Sequence, residues 1–151
     1  MPASSSPPDY TADSKIATNL AGFFHITQRV AAEMLKRESG HIVSITTSLV
    51  DHPNSSVPSA LANLTKGGIN SATKALAIEY AAKGIRVNAV SPGIIRTPMH
   101  PAETHEFLAA LHPMGHMGEI RDIVEAVMFL ESAAFVTGEI LHVDGGQSAG
   151  H

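Results

Sequence analysis

The hydrophobic positions of this chain fall into two alternating rhythms. From Ile16 to Lys36, apolar residues at Ile16, Leu20, Phe23, Phe24, Val30, Ala31 and Met34, joined by Thr27, return at helical spacing, and Gly40 follows as a stop. His41-Ile-Val-Ser-Ile45 then becomes a short, nearly continuous apolar run of the kind that forms a buried strand, with Thr46, Thr47 and Ser48 at its carboxyl end. After the polar loop Asp51–Ser56, an Ala-rich stretch from about Ser59 to Ala82 brings Leu64, Ile69, Leu76 and Tyr80 to similar faces and closes at Lys83-Gly84, which predicts a second long helix. Ile85–Val90 reads as a strand broken by Ser91-Pro-Gly93, Glu119–Leu130 as a third helix, and Glu139–Val143 as a third strand closed by Asp144-Gly-Gly146. Ahead of all this, residues 1–12 form a Ser/Pro-rich lead-in expected to be flexible. No internal repeat and no second domain boundary interrupts residues 13–151.

The resulting order, αβαβαβ, predicts an α/β fold with a short parallel sheet and right-handed helical crossovers, a partial doubly wound arrangement in three layers. In such folds the ligand crevice lies beyond the carboxyl ends of the strands, which puts Thr46–Ser48 and Pro92–Thr97 at the rim.

Composition narrows the function classes. With 151 residues, 44% of them hydrophobic and 16% charged, the chain suits one domain with a real core. A net charge of -4, with Lys and Arg scattered along the chain, gives no basic footprint for nucleic acid or an anionic membrane. No run approaches the roughly 18 apolar residues of a membrane span, and Met1–Thr11 lacks the basic start and apolar stretch of a signal peptide. Zero Cys excludes disulfides, thiolate metal sites and Cys nucleophiles, and a cytoplasmic protein is expected. His112 and His116 have the spacing of a metal clip, but Pro113 and Gly115 between them oppose a helix and no third ligand stands at fixed spacing, so no metal site is expected.

Five segments in sequence carry a family resemblance: Asn19-Leu-Ala-Gly-Phe-Phe, Gly40-His-Ile-Val-Ser-Ile-Thr-Thr, Leu64-Thr-Lys-Gly-Gly-Ile, Gly84-Ile-Arg-Val-Asn-Ala-Val-Ser-Pro-Gly-Ile-Ile-Arg-Thr-Pro and Thr137-Gly-Glu followed by Val143-Asp-Gly-Gly146. In this order and spacing they resemble the carboxyl-terminal half of a short-chain dehydrogenase/reductase, a Rossmann-like fold, over about Asp13–Gly146. The resemblance implies NAD or NADP as cofactor and hydride transfer between a carbonyl and an alcohol. In that family a Tyr four residues before a Lys exchanges a proton with the substrate oxygen; residues i and i+4 share a helix face, so the ammonium lowers the phenol pKa and also holds the nicotinamide ribose. By position Lys66 matches that Lys and Asn19 the Asn that holds a relay water. The substrate-orienting Ser falls at Thr46, Thr47 or Ser48, the strand pattern favouring Thr47 and the family's usual spacing landing on Leu49. Pro92, Gly93, Ile95 and Thr97 match the clamp on the nicotinamide carboxamide.

Two departures bear on activity. The Tyr position is Ala62, and the tyrosines, Tyr10 and Tyr80, stand far from it in sequence. The family's Gly-x-x-x-Gly-x-Gly turn, whose amides bind the cofactor pyrophosphate, is not found in these residues. The expectation is therefore an oxidoreductase represented by its distal half, weak or inactive alone and binding NAD(P) weakly or not at all, or else a catalytically dead binding or assembly module of the same fold. The first strand is expected to leave an open apolar edge, and helices 16–37 and 59–82 resemble those of the family's dimer contact, so a homo-oligomer is expected. Residues 97–118 read as a lid whose Met99, Phe107, Leu108, Leu111, Met114 and Met117 fit either a small apolar substrate or packing of the lid on the body.

Overall fold

The computed structural model describes residues 11–150. Most of the lead-in, and with it the expectation that it is flexible, thus lies outside the described residues; Thr11, the first of them, caps α1 (Ala12–Ile16) by accepting from the Ser14 N–H. The helix runs on through a π-helical stretch, Ala17–Gly22, into α2 (Phe23–Arg37). Periodicity alone predicts one regular stripe here, and the structure corrects that: Thr27, Ala31 and Met34 are buried, while Ile16, Phe24 and Val30 are exposed. The wider turn inserts a residue, so positions before and after it no longer share a face. A second correction concerns the stop. Glu38, not Gly40, takes the left-handed conformation at φ 50° that ends α2, and Gly40 opens β1 (Gly40–Ile45), where a side chain would run into Met34.

A single 3-10 turn (Ser48–Val50) leads toward α3 (Ala60–Tyr80), and Ala81–Lys83 carry the chain through another to Gly84. The face of α3 turned inward is Thr65, Ile69, Asn70, Thr73 and Ala77. Leu64, expected on that face, is 67% exposed. Small and hydroxylated side chains let α3 lie close against β2 (Ile85–Pro92), which larger residues would hold off. Nor do Ser91 and Pro92 break the strand: β2 continues through both, and Pro92 pairs with Val143 in β3 (Ile140–Val143). Pro is tolerated because it ends the ladder.

The sheet is parallel in the order β1-β2-β3, with Gly40 opposite Ile85, Ile45 opposite Val90 and Ala89 opposite Ile140. Its central strand is buried on both faces. Ile85 and Val87 pack with Met34 and Ala77 beneath α2 and α3, whereas Val90 packs with Ala126 and Leu130 of α5 (Ile120–Ser132), the segment between carrying the short α4 (His105–Ala109). The even-numbered polar residues of β2 tie the α5 side together. Arg86 donates to the carbonyls of Leu130, Glu131, Ala133 and Val136, and Asn88 accepts from the Glu139 N–H while donating to Val136 O. Because the Asn88 amide also donates to His41 Nε2, the ring hydrogen of His41 sits on Nδ1 and faces Glu131 at 2.6 Å. Among the described residues β1 and β3 each have a partner strand on one side only, and no helix is long and apolar enough to cross a membrane.

Candidate functional site

The carboxyl ends of the strands gather three groups of polar atoms. The first surrounds Lys66, two turns into α3. Its ammonium donates to the Thr46 carbonyl at 2.8 Å, and among the described residues it makes no ion pair. Burial, and next the nearby ammonium of Lys15, hold its pKa below the ordinary lysine value. Ala62 lies one turn earlier on the same helix face. Beside Lys66, Thr65 turns its hydroxyl back to Leu61 O and Ala62 O and accepts from Asn19 Nδ2 at 3.2 Å. The π-helical stretch carries Asn19 to this position, so the irregular turn faces the same end of α3 as Lys66.

The second group is the run Thr46–Ser48. Thr46 is buried, its hydroxyl donating to Val90 O; Ser48 is also buried, donating to Gln147 Oε1. Thr47 is half-buried, its oxygen accepts from the Leu49 N–H at 3.5 Å, and its hydrogen has no acceptor among the described residues. Thr47 is therefore the one of the three whose hydroxyl is free to donate outward. Leu49 lies in the 3-10 turn beyond it and has no hydroxyl.

The third group is the turn after β2. The Gly93 N–H pairs with Val143 O, Ile94 donates to His112 Nε2, and Gly118 donates to Ile94 O while its own carbonyl receives the Arg96 N–H. In this parallel bridge the N–H and C=O of Ile95 point away from Gly118 and have no partner among the described residues. A Cβ on Gly93 would stand 2.8 Å from His112 Nε2 and 2.9 Å from Asp144 Cα, so only glycine fits. Pro92 is buried at the strand end and Thr97 is half-buried three residues after Ile94. Sequence reasoning weighed His112 only as a metal ligand. It is instead 3% exposed, its Nδ1–H donating to Leu108 O and its Nε2 anchoring the Ile94 N–H. The partner roles of Thr65 and Gln147 were also missed, since both contacts join segments far apart in the chain.

The expected lid divides. Leu111 and Met117 are buried with Ile94, and Leu108 packs against them, so these residues hold the segment to the body. Met99, Phe107 and Met114 are exposed. Among the described residues no cluster of His, Cys, Asp and Glu is arranged to hold a metal ion.

A parallel sheet covered on both faces, with its free polar groups collected at the carboxyl ends of the strands, defines a Rossmann-like α/β domain. The chain belongs to the short-chain dehydrogenase/reductase family: a family model described as enoyl-(acyl carrier protein) reductase matches residues 6–148. Similar curated proteins include the 3-oxoacyl-[acyl-carrier-protein] reductase FabG of Thermotoga maritima, 35% identical over 139 residues, which covers 89% of this chain and 56% of that protein. The (2S)-[(R)-hydroxy(phenyl)methyl]succinyl-CoA dehydrogenase subunit BbsD of Thauera aromatica is 39% identical over 141 residues, 90% of this chain and 56% of that one. Among solved structures, ElxO with NADP bound superposes with a TM-score of 0.85 at 30% identity, covering 97% of this chain and 61% of that chain. The chain thus spans little more than half the length of the curated relatives it matches.

Proposed function

We propose that residues 13–151 form the substrate- and nicotinamide-facing half of an NAD(P)-dependent oxidoreductase fold for a small apolar carbonyl compound and its alcohol, and that this half is weak or inactive alone. One observation carries the reading. Ala62 holds the position one turn before Lys66, where a phenol would stand beside the ammonium, and its methyl group has no proton to give.

The residues that remain fit the nicotinamide end of such a cofactor. The unengaged N–H and C=O of Ile95 complement the acceptor and donors of a primary carboxamide, with Pro92 and Gly93 fixing that turn and Thr97 two residues further along the chain. The Lys66 ammonium is suited to ribose hydroxyls. Bound NAD(P) would supply the hydride. The chain's own part is to orient and to move protons: the Thr47 hydroxyl donates to the substrate oxygen, and Asn19, held by Thr65, fixes a relay water. Without a phenol the proton reaches the substrate oxygen from water, and loss of positioned acid–base help costs about 10²–10⁴ in rate.

The Gly-rich turn that binds a dinucleotide pyrophosphate is not among these 151 residues, so we expect weak NAD(P) binding by this chain, acting in the cytoplasm. The names of relatives such as the Thermotoga maritima reductase make a 3-oxoacyl thioester the first substrate to assay. Calorimetric titration with NADPH and NADH, paired with an absorbance assay on that thioester, should give no micromolar binding and no cofactor oxidation above background. Micromolar binding or turnover by the unmodified chain overturns the proposal. Under cofactor concentrations high enough to saturate, Ala62→Tyr should raise the rate by about 10²–10⁴; no gain would mean that more than the phenol has been lost. A second reading, an assembly module of the same fold without turnover, is supported by the exposed apolar residues Phe24, Ile26, Leu64 and Ile78 along α2 and α3.

A further inference from the structure

Replacing a phenol by a methyl group changes what the neighbouring lysine can do. A lysine paired with a carboxylate, or beside an acidic phenol, is held as a cation and has no lone pair to offer. Lys66 has neither neighbour. Its one hydrogen bond is to a neutral carbonyl, Thr46 O, among the described residues no carboxylate lies within ion-pair distance, and a second ammonium, that of Lys15, approaches from α1. Lys66 is half-buried on the side of α3 that faces the strand end, and the residue one turn before it on that face is no larger than alanine. The peptide group that holds its Nζ is the one joining Thr46 to Thr47, and Thr47, the next residue along, carries a hydroxyl whose hydrogen has no acceptor among the described residues.

We propose that Lys66 is a carbonyl-capturing amine that forms a reversible Schiff base with small apolar aldehydes at the vacated phenol position. The ammonium first gives a proton to solvent. The nitrogen lone pair then adds to the aldehyde carbon, and the carbonyl π pair passes to oxygen, which Thr47 steadies by donating its hydroxyl hydrogen and which takes up a proton from water while the nitrogen releases one to solvent. The carbinolamine so formed loses its oxygen as water after a second protonation, the C–O bond breaking as the C=N bond forms, and no oxidation state changes. Partial withdrawal from solvent, and after it crowding by a like charge, favour the neutral amine, the environment in which lysine becomes a nucleophile. This activity uses the same residues as the oxidoreductase reading but needs no cofactor, so the two fail separately.

The experiment traps the imine. The chain is incubated at neutral pH with hexanal and sodium cyanoborohydride, with no NAD(P) present, and the alkylated lysines are located by peptide mass mapping. Lys74, on the exposed side of the same helix, and Lys83, over the Tyr80 ring, serve as internal controls. Lys66 should be labelled several-fold faster than either, because it alone of the three is withdrawn from solvent beside a second ammonium and held only by a neutral carbonyl. Ala62→Tyr should bring Lys66 down to the rate of Lys74, and the preference should vanish in urea. Labelling of Lys66 no faster than Lys74, labelling centred on Lys15, or a preference that survives unfolding overturns the proposal.

Discussion

Asp144 closes β3, and its carboxylate accepts the N–H groups of Gly146 and Ser148 at 3.0 and 2.8 Å, so that two glycines can turn the chain with φ 61° and 90°. Burial opposes its charge, but hydrogen bonding from Ser148 and Gly146, with His142 nearby, outweighs burial and holds the carboxyl below the ordinary aspartate range. A depressed folded-state pKa stabilises the fold above the unfolded value and loses that contribution as pH falls through the folded one. Thermal midpoints of the parent chain should therefore decline as pH drops below about 4, near the ordinary Asp value. Asp144→Asn should melt lower at neutral pH and show a shallower acid decline; equal acid slopes would show that the turn does not depend on the charge. Lys66 teaches a related lesson at the same scale. Its place was legible from Leu64-Thr-Lys-Gly-Gly68, but its partners, Thr46 O and the approaching Lys15, depend on packing that no local pattern encodes.

The strands were the most legible elements, because β1, β2 and β3 are short apolar runs and a parallel strand buried on both faces needs little else. Helix positions were legible too, their faces less so. Thr65, Asn70 and Thr73 are buried on α3, which hydrophobic periodicity cannot register, and the π-helical stretch shifts the phase of the first helix without a compositional mark. The consequence is an exposed apolar surface. Phe24 and Ile26 on α2 and Leu64 and Ile78 on α3 face solvent, and a groove of ≈ 360 Å³ between these helices is lined by Phe23, Phe24, Leu76 and Tyr80. Such a patch favours self-association. Sedimentation of the chain should give a dimer or larger species, and Phe24→Glu combined with Ile78→Glu should shift it to monomer with little change in helix content. A monodisperse monomer before substitution counts against association through α2 and α3.

Across the whole molecule, buried polar residues of β2 join layers that apolar packing alone would leave free to slide. Asn88, 0% exposed, spans His41 of β1, the Val136 carbonyl after α5 and the Glu139 N–H ahead of β3. Asn88→Ala leaves these groups without their partner and should cost about 2–4 kcal/mol, at about 1–3 kcal/mol per orphaned group with partial compensation from Arg86; urea unfolding measures it, and a loss under about 1 kcal/mol would mean that water replaces the amide. Arg86 does for the segment between α5 and β3 what Asn88 does for the sheet. That segment is short, near the surface and crowned by Phe135, which is fully exposed, and by position it looks like a convenient place to open or extend the chain. The carbonyls at 130 and 131 in the last turn of α5 and those at 133 and 136 in the segment itself all converge on one guanidinium rooted in the central strand. A circular permutant with new ends here, or a fusion partner spliced in, would pull that cation loose inside the sheet, whereas the loop at 52–56, just past Asp51 and its pairing with His142, is held by local hydrogen bonds and is the better point of entry for an engineered insertion.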